Sequence, residues 1–209
     1  MIVSLNEIEA IVYKAVRGAG YAWGLAEDAA RAARCLAAQD LPWSPSLLRI
    51  LIEGRATAPI LDGDTLKPAP GAGPLSPLIA GPAASDLLAP GTILRVTNVA
   101  EPVWMLAAAQ ARATATEHVK VTSNGQEVIV APAGFVGRCA LADARRATLS
   151  LTLVPATPTP HRSLANVPDG VFVDDGDLAA LAKFEARTYV PESERSRLAG
   201  AGAGLSDND

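Results

Sequence analysis

Apolar residues recur every three to four positions over the first quarter of the chain. Beyond Thr92 they recur every second position, and the switch predicts helices followed by a β core. From Ser4 to Gly18, Ile8, Ile11, Val12, Ala15 and Val16 share one helical face. Ser4 and Glu7 have the spacing of a capping box, in which each satisfies the other's backbone N–H. Gly18 and Gly20 are placed to end that helix. A second helix opens near Leu25, with Glu27 and Asp28 in a first turn where acids offset the positive end of the dipole. Its stripe is thin: Ala26, Ala29, Ala30, Ala33, Leu36 and Ala37. A third helix is capped by Ser44, carries Pro45 at its first position and closes at Gly54.

From Arg55 to Pro90 prolines and glycines interrupt every pattern, which predicts a long connection with a short helix at Ser85–Leu88. The β region follows. TILRVTNV is its first strand and Val103–Leu106 a short buried one. AAAQARATATEH is alanine-rich enough to form a helix, so a strand–helix–strand unit with one parallel strand pair is expected. Asn124-Gly125 supplies the two positive φ angles of a type I′ hairpin, which sets Val121 against Val128 and Val119 against Val130. Ala147–Val154 alternates as a last long strand. A Pro/Thr loop over 156–170, a short strand at Val171–Val173, a helix at Asp177–Arg187 and another opened by Pro191 complete the chain. The fold class predicted is α+β: an N-terminal helical layer packed on a mixed, mainly antiparallel β core, with C-terminal helices. Residues 1–54, 55–91 and 92–209 are its helical region, connection and core, expected to form one structural unit.

Composition narrows the function. Of 209 residues, 49 % are apolar but only 4 % aromatic, so the core must be built from small side chains. The net charge of −4 and the scatter of arginines among acids exclude a clustered phosphate-binding face, so no nucleic-acid partner is expected. No run approaches the ~20 apolar residues of a membrane span. The first residues do not form a secretory leader, and two distant cysteines, Cys35 and Cys139, fit a reducing cytoplasm. No nucleophile elbow, phosphate loop or dinucleotide fingerprint occurs, so no cofactor is expected.

Candidate chemistry is sparse. His118 and His161 have no histidine or cysteine at metal-ligand spacing, so no metal site is expected. His118 is placed to favour a helix C-terminus; His161 lies in a loop beside Arg162. Asp174, Asp175 and Asp177 precede a helix, where capping accounts for them better than a calcium loop does. Cys139, after Arg138, is either a small buried residue or a thiolate nucleophile. The densest group of polar anchors is Glu185, Arg187, Tyr189, Ser193, Arg195 and Arg197 ahead of a GAGAG run. There Arg187 and Arg195 would clamp an anion and Tyr189 would orient it, with His161 as a further substrate contact.

SLNEIEAIVYKAVRGAGYAWGLAEDAARAARCLA and RTYVPESERSRLAGAGAGLSDND resemble a proteobacterial family of proteins of unknown function. The resemblance implies a cytoplasmic protein encoded among genes for catabolism of small amino-acid-like or hydroxy-acid compounds, and it brings no catalytic residues. The N-terminal helices are also faintly similar to the opening of the non-Rossmann malate/lactate dehydrogenases; nothing downstream follows that family. The function expected is a small-molecule, carboxylate-binding enzyme or enzyme subunit. The alternative is a non-catalytic module that pairs with a second copy or with a larger catalytic chain.

Overall fold

The computed structural model describes residues 1–54, 58–136, 141–156 and 170–189. A two-residue strand β1 (Ile2–Val3) leads into α1 (Leu5–Gly18). The capping box forms as predicted: Glu7 N–H donates to Ser4 Oγ at 3.2 Å, and Ser4 N–H to Glu7 Oε2 at 2.8 Å. The two glycines expected to end α1 have separate roles. Gly20 adopts φ +94 at the exit, whereas Gly18 is helical and is small because α6, described below, crosses it.

Helix α2 (Trp23–Ala38) starts two residues earlier than its alanine stripe implies. Asp28 therefore lies beyond the first turn and pairs with Arg31 at 2.6 Å. Helix α3 (Trp43–Glu53) also starts early, so Ser44 is not its cap. Ser44 instead donates to Asp177 across the fold at 2.6 Å. Gly54 closes α3 at φ 63, as expected.

The stretch expected to be a connection holds more structure than its prolines implied. Strands β2 (Ile60–Asp62) and β3 (Thr65–Lys67) form a tight hairpin. Helix α4 spans Pro77–Leu87 rather than four residues, because Pro77 suits a first turn and Pro82 is tolerated inside. Strand β4 (Ile93–Ala100) then bulges between Val96 and Val99, where Asn98 takes φ 51.

Val103–Leu106 is not a strand. It opens α5 (Trp104–Arg112), and all four side chains are buried because helices and sheet enclose that turn. A continuous apolar run has no period to tell a buried helix from a buried strand. The helix also ends at Arg112, so His118 is not at its C-terminus; it sits in β5 (Glu117–Ser123), opposite Val154. The Asn124-Gly125 hairpin joins β5 to β6 (Gln126–Ala131) with φ 49 and 75 and the predicted pairing of Val121 with Val128 and Val119 with Val130. Strands β7 (Gly134–Val136), β8 (Arg146–Pro155) and β9 (Val171–Phe172) follow, then α6 (Asp175–Glu185) and a 3-10 turn at Ala186–Thr188.

Seven strands form one mixed sheet in the order β2-β3-β4-β8-β5-β6-β7; only the β3–β4 pair is parallel and the rest are antiparallel. Because β4 and β5 each run against β8, they point the same way. A strand–helix–strand unit is therefore present with β4 as its first strand, but its two strands do not form the expected parallel pair: β8 lies between them, and the parallel pair is β3–β4. Leu94, Val96, Val119, Val121, Val128, Val130, Leu149 and Leu151 are buried on the face covered by helices. Helices α4 and α5 pack on that face, α2 packs on both, and α1 packs on α2. Helix α6 lies across α1 and α3, and β9 pairs with β1. The chain is α+β, as its pattern predicted. Among the described residues no helix is long and apolar enough to cross a membrane.

Candidate functional site

Three helices enclose a cleft of about 540 Å³. Its inner wall is apolar: Ala29 and Ala32 from α2, Leu78 and Pro82 from α4, Trp104 and Ala108 from α5. The small side chains of α2 create it, because alanines facing Trp104 leave space that leucines would fill. Trp104 is 2 % exposed and is fixed at the base by a bond from its Nε1 to Ser46 Oγ at 2.8 Å. Ser46 in turn donates to the carbonyl of Pro42 at 2.5 Å.

Polar groups line the rim: Asp28, Arg31, Cys35, Ser85, Asp86 and Gln110. Most are already engaged. Arg31 holds Asp28. The Cys35 thiol donates to Gln110 Oε1 at 2.7 Å, and Gln110 Nε2 donates to the Pro132 carbonyl at 2.8 Å. Burial pushes the Cys35 thiol up to about 12, so it is neutral and a poor nucleophile. Ser85 Oγ donates to the Ala108 carbonyl at 2.9 Å. The Asp86 carboxylate is exposed and makes no hydrogen bond or ion pair among the described residues.

Of the group expected to hold an anion, Arg187 and Tyr189 are described, and neither lines this cleft. Arg187 stacks on Phe184, its guanidinium carbon 4.6 Å from the ring centroid. Tyr189 is exposed and donates its hydroxyl to Glu185, whose other partner is Lys14 at 2.8 Å. Hydrogen bonding to Lys14, then to Tyr189, holds the Glu185 carboxyl below the usual carboxylate range, and the same contacts raise Lys14 and Tyr189. These bonds dock α6 on α1. Arg195, His161 and Cys139, with the GAGAG run, lie outside the described residues. Asp174 caps α6, accepting from Gly176 and Asp177 N–H at 2.8 and 3.2 Å, as capping chemistry requires.

A buried charge stands at the turn from β4 into α5. Glu101, 6 % exposed and at φ 44, accepts both oxygens' worth of a bidentate contact from Arg49 at 2.7 Å each, and a further bond from Arg145 at 3.3 Å. Burial pushes its carboxyl up and Arg49 pulls it down. With its oxygens occupied, Glu101 ties α3, β4 and the start of β8 together and is not open to a ligand.

Sequence reasoning missed the cleft because its walls come from helices far apart in the chain. One signal was readable. Asp86 is an acid in the last turn of an alanine-rich helix, at the end where the dipole disfavours it.

No curated protein and no solved structure matches the chain. Residues 3–68, from β1 through β3 and so including the α2 wall of the cleft, match the family model described as a protein of unknown function (DUF3726), the kind of family to which the N-terminal motif pointed.

Proposed function

We propose that this chain is a small-molecule-binding protein, an enzyme or an enzyme subunit, whose ligand occupies the cleft between α2, α4 and α5. One observation carries the reading. A cavity of about 540 Å³ with an apolar floor and a few polar groups at its mouth has the size and character of small-ligand sites, which run about 300–1,000 Å³. The cytoplasm and a place in small-compound catabolism belong to the same proposal and rest on the family resemblance alone.

A thermal-shift screen of small organic acids, amines and alcohols tests it. A ligand at a hundredfold excess over Kd stabilises the folded state by about 2.7 kcal/mol. Ala111→Trp places an indole at the mouth of the cleft from an exposed position on α5. The expected result is a ligand-dependent rise in Tm that this variant abolishes. A screen in which nothing shifts the melt, or in which Ala111→Trp responds as the parent does, overturns the assignment.

A second reading is that the chain pairs with another copy or with a larger catalytic chain. It is favoured by Ile2 and Phe172, cross-strand neighbours that are 75 % and 76 % exposed. Light scattering decides it: a monomer across the micromolar range, unchanged by Phe172→Ser, removes self-pairing.

A further inference from the structure

The charge left over at the mouth of the cleft is of one sign. Cys35 donates to Gln110, Gln110 to Pro132 and Ser85 to Ala108, and the charge of Arg31 is paired with that of Asp28. What remains uncompensated is one negative charge. Asp86 supplies a carboxylate with no counter-ion among the described residues. Ser85 Oγ keeps its lone pairs. Pro82 has no N–H, so the carbonyl of Leu78 one turn below loses the donor an ordinary helix would give it.

The two helices reinforce this bias. Gly81 lies against Met105 and Ala108, Ser85 reaches Ala108, and Arg112 reaches the carbonyl of Leu88 at 3.3 Å. These contacts advance together along both chains, so α4 and α5 run side by side in the same direction. Their C-terminal ends, each carrying a partial negative charge, therefore lie next to one another beside Asp86. Arg112 answers one carbonyl there but is not part of the cleft lining.

We infer that the ligand of this cleft is a cation: a primary amine, protonated at neutral pH, with an apolar body that fills the space over Ala32, Leu78 and Trp104 while its ammonium group meets Asp86. The inference rests on the cleft being the binding site. It specifies the charge of the ligand, which the cleft's size and apolarity leave open. The group that offsets an acid at the wrong end of α4 is then supplied by the ligand instead of by the chain.

Three probes of matched shape separate the possibilities: 2-phenylethylamine, 2-phenylethanol and 3-phenylpropanoate, each titrated by calorimetry against the full chain at low and moderate salt. One charge pair at an exposed rim corresponds to about two- to fivefold in Kd. The amine is expected to bind about that much more tightly than the alcohol, and the carboxylate more weakly than either. Added salt is expected to erode the amine's advantage alone. In Asp86→Asn the amine should fall to the alcohol's Kd, with the alcohol unchanged. The inference is overturned by an amine no tighter than the alcohol, or by a preference that survives Asp86→Asn. Alcohol and carboxylate binding that Ala111→Trp removes, with no amine preference, sinks the charge assignment and leaves the cleft standing. Binding of none of the three overturns both.

Discussion

Replacing Gly18 by alanine sets two effects of opposite sign against each other. Gly18 is the last residue of α1, with helical backbone, so propensity alone favours alanine by a fraction of the ~1 kcal/mol seen at interior positions. Yet a Cβ there would stand 1.8 Å from the carbonyl oxygen of Phe184 and 2.6 Å from its carbonyl carbon. Carbon–oxygen contacts settle at about 3.3 Å, so α6 must retreat by about 1.5 Å. The obstacle is backbone, which cannot swing aside as a side-chain tip would. If α6 stays docked under strain, the cost is about 1–3 kcal/mol. If it lifts off, the burial of Leu181 and Phe184 goes with it, at about 1.5–3 kcal/mol each. Either way the contact outweighs the propensity. Urea unfolding of Gly18→Ala should show a net loss of about 1 kcal/mol or more, with Tm lower by about 2–4 °C for each. Gly24→Ala is the control, since nothing lies within 4 Å of the added methyl and α2 should be unaffected or slightly firmer. A Gly18→Ala chain at least as stable as its parent would refute the close crossing of α1 and α6.

Arg49→Ala strips Glu101 of both short bonds and leaves a buried carboxylate facing only Arg145. A loss of about 2–4 kcal/mol is expected, below the range for fully buried pairs because Arg49 is one-third exposed, and Arg49→Met with Glu101→Gln should recover most of it in a double-mutant cycle. The Glu185 carboxyl is held below its ordinary value of 4.5, so its stabilising contribution is present above that pH and disappears as pH falls through the lowered folded value. The stability gap between the parent and Glu185→Gln, followed by denaturant titration, should hold steady near neutrality and close in acid; a gap that is flat across the acid range contradicts the Lys14–Glu185 assignment. Ser46→Ala removes the acceptor of the buried Trp104 N–H and should cost about 1–3 kcal/mol, a penalty absent when Trp104 is already phenylalanine.

What could be read from the chain follows the range of the forces involved. The Asn124-Gly125 turn and the Ser4–Glu7 box are settled by neighbours within four residues, and both stand where the pattern put them. Strand β8 was legible because alternation over ten residues leaves one solution. Helix α5 was half misread because Val103–Leu106 is buried all round, and an unbroken apolar run has no period. Helix α4 was hidden behind Pro77 and Pro82, which act as breakers only where a helix needs the missing N–H. The cleft was invisible for a different reason: its shape depends on Ala29 and Ala32 meeting Trp104, three residues whose proximity is created by the fold. Glu101 gave no sign either, since nothing local marks a glutamate held at positive φ by an arginine on another helix.

The middle of the sheet is the last part of it to be translated. Strands β4 and β5 emerge from the ribosome well before β8, the partner that both require, and in the meantime β2, β3 and β4 can pair only with one another, as can β5, β6 and β7. At about 5–20 residues per second the nascent chain spends a few seconds with two bare strand edges. A polypeptide halted ahead of Arg146 would keep them, which makes premature termination a direct route to aggregation for this topology.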